Sequence, residues 1–441
     1  MRHAGWAVGV SLASLAACEP RAAPPLSAPE PTRETFIPTR LAPTPTKIRV
    51  LVGGDLMPHR PMLLPPGRLH DALEPLRALL AGSDISVANY ESATGDREVR
   101  PSHDISLVAS PEWIRTAGEH FRALTVANNH ACDLGRRGLE ATIEAAALAG
   151  VVPIGGDDQD PWQARVLVEK GGKRVCAVAW TSFVNSEARA CPASGKLALA
   201  GLDGPGTRAI ERAVARARGS GCDATIAIFH GGKEYELQTV SRLAQARVAA
   251  EAGADAIVVH HPHVPSAVEV YETRDGRRVP VFASLGNLVS NQGESYRPPL
   301  PPVSPGHYVS LNAWTRLGVL ADLEWTWPTG GGPREHPKLA YGYHLLWTDN
   351  EHAADRDEPM PRISVRPIDP LADHVLIDRL STDPAGPVRL FEDPCWIERG
   401  ITRCAPTSPA RAARRRGAPL ATDQALEGVR RSLSRRGSVG G

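Results

Sequence analysis

The chain has 441 residues, enough for two domains or for one large α/β domain with appendages. Hydrophobic residues make up 42% and charged residues 22%, which supports a folded core and excludes a wholly disordered chain. Fifty basic residues against 49 acidic ones leave a net charge of +1, which excludes a partner held by bulk charge, nucleic acid included.

The chain opens as a targeting segment. Arg2 and His3 form a short polar start, and Ala4 to Ala17 is apolar or small apart from Ser11 and Ser14. This run is shorter than the roughly 20 residues a spanning helix needs, so it predicts the apolar region of a secretory signal. It ends Leu15-Ala16-Ala17-Cys18, which resembles the lipobox of bacterial lipoproteins. That resemblance implies cleavage before Cys18, lipidation of its sulfur, and a membrane-anchored protein of the cell envelope facing away from the cytoplasm. Residues 19–46 are rich in Pro, Ala, Thr and Ser and predict a flexible tether.

From Lys47 the texture changes. Ile48–Val52 is a β-branched run that predicts a buried strand ending at Gly53-Gly54-Asp55. Leu69, Leu73, Leu76 and Leu80 have helical spacing and predict one helix over 69–80. Strands follow at 85–88 and 123–127, a helix at 139–148 and a strand at 151–154. A hairpin is predicted from 165–168 and 174–180 around Lys170-Gly171-Gly172. Then come helix 207–218, strand 225–229, helix 240–252, strand 256–259 and strands 268–271 and 279–283. Strands alternating with helices imply α/β units. No Gly-x-Gly-x-x-Gly or phosphate-loop pattern follows the first strand, which argues against a nucleotide fold. Alternation at 317–327, 340–347 and 363–367 predicts β additions to the same domain, which spans 47–370. An extension covers 371–402, and residues 403–441 form an Arg-rich tail predicted to be disordered.

Export places the cysteines in an oxidising compartment. No CxxC pair is present, which argues against a structural zinc site. Cys395 and Cys404 flank a short loop and are one candidate pair. Cys176, Cys191 and Cys222 can supply another bridge, with connectivity open.

Metal-competent residues stand where predicted strands end: Asp55, Asn89 with Glu91, Asn128-Asn129-His130, His230, and His260-His261-Pro262-His263. In open α/β sheets ligands bind beyond the carboxyl ends of strands, so these ends converge on one site. Carboxylate, amide oxygen and imidazole suit Mn, Fe or Zn. Each residue alone has an ordinary explanation in a turn, a surface or a packed interior. The ordered set does not.

These segments, with Gly54-Asp55-Leu56-Met57, Asn89-Tyr90-Glu91, Asp133, His230-Gly231-Gly232-Lys233-Glu234-Tyr235 and Ser284-Leu285-Gly286-Asn287, resemble the successive motifs of the CapA (capsule-synthesis, poly-γ-glutamate) family over 47–290. The family is similar to metallophosphoesterases. The resemblance therefore implies a four-layer α/β/β/α sandwich, here with C-terminal β additions, and two divalent metals. It implies Asp55 and His263 as ligands of the first metal and Glu91 as the bridging carboxylate. Asn129, His230 and His261 would bind the second, with the choice within the His260/His261 pair open. It implies His130 as general acid with Asp133 orienting its ring. The sequence departs from the phosphoesterase pattern at Met57, which stands where Asp-x-His would place an imidazole, and at Val259, where a glycine is usual.

Two functions follow. One is an exported metal-dependent hydrolase of phosphoester or related acyl or amide bonds, with Arg60, Lys233 and Asn287 as candidates to hold an anionic substrate. The other is a non-catalytic, membrane-tethered component of a polymer synthesis or export complex. Met57 favours the second, and the complete His130/Asp133 pair the first.

Overall fold

The structure is a computed structural model that describes residues 44–59, 65–95, 106–185, 191, 194–237, 240–297, 309–329, 337–350, 362–382 and 386–391. Cys18, the tether, Arg60, Cys395, Cys404 and the Arg-rich tail lie outside the described residues.

The first β-branched run is the centre of β1 (Thr46–Leu56). The four leucines of the next segment are all buried, yet they do not lie on one helix. The segment is α1 (Pro66–Leu73), a 3₁₀ turn at Glu74–Leu76 and α2 (Arg77–Leu80). Pro75 has no N–H to donate, and its ring crowds the carbonyl four residues back, so the α-helix stops there. β2 (Ile85–Tyr90) leads to a short parallel pair, β3 (Ala93–Thr94) and β4 (Val108–Ala109). α3 (Pro111–Gly118) has no counterpart among the elements expected from the sequence. It has proline at its start and buries Trp113, Ile114 and Ala117. β5 (Ala123–Thr125), α4 (Gly135–Leu148) and β6 (Val152–Ile154) follow.

β7 (Arg165–Lys170) and β8 (Lys173–Thr181) form the expected hairpin. Gly171 and Gly172 both have positive φ, 58° and 70°, the backbone that a two-residue turn of this hand demands. α5 (Gly204–Gly219) is capped by Asp203, whose side chain accepts from the Gly206 N–H at 2.9 Å. The chain continues through β9 (Ala224–His230), α6 (Val240–Ala252), β10 (Ala256–His260), β11 (Val268–Glu272), β12 (Arg278–Phe282) and β13 (Asn287–Val289). The later alternating runs are β14 (Leu317–Trp327), β15 (Lys338–Asp349) and β16 (Ser364–Pro367). A short helix not expected from the sequence, α7 (His374–Ser381), comes last.

The strands form two large sheets. One has the order β16-β15-β14-β1-β2-β5-β6, with β13 also paired to β1, and the other the order β11-β12-β10-β9-β8-β7. β1, β2, β5 and β6 run parallel in the first sheet, as do β8, β9, β10 and β12 in the second. The late strands join the first sheet because β14 pairs antiparallel with β1, from Thr46↔Trp327 to Val52↔Ala321.

Strand alternation sorts the side chains. Ile48, Val50 and Val52 of β1 share a buried cluster with Val175, Ala177, Ile226, Ile228 and Val258 of the other sheet. Leu51 points the other way, into a cluster with Leu69, Leu73, Trp113 and Ile114 from α1 and α3. On the second sheet Ala227, Phe229, Ile257 and Val259 pack with Ile210 and Val214 of α5 and Ala246, Ala249 and Ala250 of α6. The molecule is thus a mixed α/β protein. Among the described residues, no helix is long and apolar enough to cross a membrane.

Disulfides join Cys176 to Cys222 and Cys132 to Cys191. The first falls within the trio expected to supply a bridge. The second takes Cys191 out of that trio and ties the segment after Asn128-Asn129-His130 to the one that follows β8.

Candidate metal centre

Parallel strands bring their carboxyl ends to one place. Register sets Asp55 beside Asn89 across β1 and β2, Asp55 beside Asn287 across β1 and β13, and His230 beside His260 across β9 and β10. Gly54 is required here: a Cβ on it would collide with the Gly286 carbonyl oxygen, which accepts from the Asp55 N–H at 3.1 Å.

Two groups of donors overlap at these ends, Asp55–Glu91–His263 and Glu91–His230–His261. In each the ligand atoms lie within 4.8 Å of one another, every residue is buried, and Glu91 is common to both. His263 Nδ1 lies 3.3 Å from Asp55 Oδ2 and 3.0 Å from Asn287 Oδ1, which leaves Nε2 on the side of Glu91, 3.8 Å from Oε1. His230 Nε2 lies 3.5 Å from Glu91 Oε1 and 2.8 Å from Asn129 Oδ1. The Asn89 amide donates to Asp55 Oδ1 at 2.8 Å and faces His230 Nδ1 at 3.2 Å, while Thr125 donates to Asn89 Oδ1 at 2.8 Å. Asn89 therefore ties the two groups together.

The structure separates the adjacent histidines. His260 donates through Nε2 to the Gly53 carbonyl at 3.0 Å and is a structural residue. His261 lies with Glu91 and His230, and its Nδ1 is buried without a hydrogen-bond partner. Its backbone sits at φ 100° and that of His263 at φ 58°, conformations that non-glycine residues take only when their surroundings hold them there.

The residues fit a metal. Both oxygens of Glu91 are buried without a hydrogen-bond partner, an arrangement that costs free energy unless a cation compensates it. Burial, then the charges of Asp55 and Glu234, pushes the Glu91 carboxyl well above its ordinary range. Burial pushes His261 down to about 3 and His230 well below its usual value, so both rings are neutral and their lone pairs available. Burial opposes ionisation of Asp55 too, but the hydrogen bond from His263 and the neighbouring imidazoles outweigh it and hold the carboxyl below the usual range.

His130 stands at the edge of the centre and belongs to neither group. Its Nδ1 is 2.7 Å from Asp133 Oδ2, which also accepts from the Leu107 N–H at 2.6 Å. Asn185 is a residue that the sequence reading misses. It lies just past β8 and places its amide 3.3 Å from His130 Nδ1 and 3.4 Å from Asp133 Oδ1, and the strand-end rule extended to β8 would have found it. Phe183, also past β8, sets its ring edge-on to His261 at 4.9 Å between centroids.

Of the candidates to hold an anion, Lys233 is exposed and ion-paired to Glu236. Asn287 is buried, and its amide is engaged: the NH₂ donates to Gln292 Oε1 at 2.9 Å and the Thr315 carbonyl at 2.8 Å, and the oxygen faces His263. Its place is that of a residue orienting His263. A separate group, His70–Glu119–His120, lies on α1 and the end of α3, where Glu119 is already paired with Arg115 and His70.

Fold and site together define an α/β protein with a candidate two-metal centre at parallel strand ends. Residues 49–292 match the family described as "Bacterial capsule synthesis protein PGA_cap", and the chain belongs to that family. It is 32% identical over 224 residues to "Capsule biosynthesis protein CapA" of Bacillus anthracis, covering 48% of this chain and 52% of that one. It is 28% identical over 226 residues to "PGA biosynthesis protein CapA" of Bacillus subtilis (strain 168), covering 49% and 55%. The chain thus spans about half the length of the curated relatives it matches. A solved structure of a hypothetical protein from Thermus thermophilus is 17% identical, with a TM-score of 0.37, over 67% of this chain and 99% of that one. The likeness is too remote to inform the site.

Proposed function

We propose that this chain is an exported, lipid-anchored, metal-dependent hydrolase that acts in making or exporting a capsular polymer of the poly-γ-glutamate kind. The observation that carries the reading is Glu91, a buried carboxylate with no hydrogen-bond partner, shared by two donor groups. The buried clusters between the sheets and on the outer face of each support a four-layer α/β/β/α sandwich of the metallophosphoesterase kind. The relatives' names support the link to capsule and to work at the cell envelope.

Asp55, Glu91 and His263 would hold one ion, and Glu91, His230, His261 and Asn129 the other, from among Mn, Fe and Zn. Such a pair supplies a nucleophile at neutral pH and a clamp for developing negative charge. His130, held at Nδ1 by Asp133, delivers a proton from Nε2 to the leaving group. Asp133, fixed by the Leu107 N–H, orients the ring and stabilises its doubly protonated form, which carries that proton.

Hydrolysis of a generic phosphodiester by the metal-loaded chain tests the reading. Turnover that a chelator abolishes is expected. Tight metal binding with no turnover would favour the tethered scaffold, the reading to which Met57 lends weight. Lipid anchoring has its own test. Replacing Cys18 with alanine should release the protein from membranes or block its maturation, and unchanged fractionation with an unmodified N-terminus would contradict the anchor.

A further inference from the structure

Each of the two groups contains three donors, and Met57 leaves the first without the imidazole that an Asp-x-His pattern would bring. A further carboxylate lies close by. Glu234, on the segment after β9, forms a group with His261 and His263 in which the ligand atoms again lie within 4.8 Å of one another. His263 belongs to the first metal group and His261 to the second, so Glu234 reaches the point between them. Unlike Asp55 and Glu91 it is exposed, on the open side of the centre, in a cleft it shares with Asn129, Phe183, Asn185 and Lys233.

We propose that Glu234 is a further metal ligand, which closes the centre from the solvent side and supplies the donor that Met57 does not. The inference rests on the two-metal reading above.

The segment that carries Glu234 is fastened to the histidine loop. The Gly231 N–H donates to the His260 carbonyl at 3.0 Å, and the Tyr235 N–H to the Pro262 carbonyl at 2.8 Å. Tyr235 is at φ 60°, a left-handed backbone that turns the chain directly after Glu234. Beyond it, the Leu237 carbonyl accepts from Arg242, a buried guanidinium of α6, and from Ser266. Glu234 therefore sits on a fixed crest. Lys233, its neighbour, pairs with Glu236.

Charge supports the same assignment. Two divalent ions bring four positive charges, and the buried carboxylates Asp55 and Glu91 return two. A third carboxylate offsets more of that charge. Because Glu234 is exposed, it adds this without the desolvation cost that a third buried acid would carry.

The test is Mn²⁺ and Zn²⁺ binding to the chelator-stripped full chain, for wild type, Glu234→Gln and Glu234→Ala. Metal analysis and calorimetry give stoichiometry and affinity, and the spin-coupled Mn²⁺ resonance reports whether two ions sit together. Wild type should take two equivalents. Both variants should keep the ion held by Glu91, His230 and His261. They should bind the other at least about 10-fold more weakly, by analogy with the smaller effect of losing a supporting residue, and lose the coupled signal. Melting of the metal-free protein should not change, because Glu234 is exposed. Two equivalents at unchanged affinity in both variants would overturn the role of Glu234 and leave the two-metal reading standing. Loss of both ions to the same extent would also overturn it, since Glu234 would then be indistinguishable from Glu91. A wild type that binds no metal would overturn the two-metal reading itself, and this inference with it.

Discussion

Replacing Glu91 with glutamine is expected to empty the proposed metal centre. Among the described residues, Glu91 is the one common to both buried donor groups, and both its oxygens lack a hydrogen-bond partner. An uncompensated buried carboxylate costs several kcal/mol, so the metal-free wild type either takes up a proton there or loses stability. Burial raises the Glu91 carboxyl in that same direction. Glutamine keeps the volume and removes the charge. Two results follow. Metal analysis of the variant should find less than half of the wild-type content. Chelator should lower the melting temperature of wild type and leave that of the variant unchanged. At a metal concentration about 100 times the dissociation constant, one bound ion contributes about 3 kcal/mol to stability. A Glu91→Gln protein that still holds two ions would contradict the bridging role.

His130→Ala should behave in the opposite way. His130 belongs to neither donor group, so metal content should be that of wild type. Turnover should fall about 10²–10⁴-fold, the usual contribution of a positioned acid or base. The geometry gives the reason. Asp133 Oδ2, held by the Leu107 N–H, accepts the Nδ1–H hydrogen bond at 2.7 Å and stabilises the doubly protonated ring, whose Nε2–H is the proton given up. Asp133→Asn should cost turnover in the same direction and also spare the metal, because a neutral amide facing Nδ1 cannot stabilise the protonated ring as the carboxylate does. Loss of metal in His130→Ala to the degree seen for Glu91→Gln would make His130 a ligand rather than an acid.

Most of the candidate centre was legible because its donors stand at or shortly past the ends of apolar strands, and buried parallel strands are the plainest pattern in this sequence. Asp55 after Ile48–Val52, and His230 after Thr225–Phe229, need no more than that rule. What was not legible depends on groups distant in sequence. His260 and His261 are adjacent, and only the Gly53 carbonyl, 207 residues away, separates a structural histidine from a candidate ligand. Asn287 reads as a candidate to hold an anionic substrate until Gln292 and Thr315 are seen to occupy its amide. Asn185 stands beyond the end of β8, and the partners that bring it to the site, His130 and Asp133, lie more than 50 residues earlier. In the fold, the leucine spacing over 69–80 concealed the break at Pro75, since all four leucines stay buried on either side of it. α3 was missed because its eight residues are too few for periodicity to stand out.

The most direct test of the account is the metal content of the purified wild-type chain after reconstitution with Mn²⁺, Fe²⁺ or Zn²⁺ and removal of excess ion. The overlapping groups Asp55–Glu91–His263 and Glu91–His230–His261 predict two equivalents per chain. A chain that retains none, with Glu91 and His261 intact, would contradict the metal centre and with it the hydrolase.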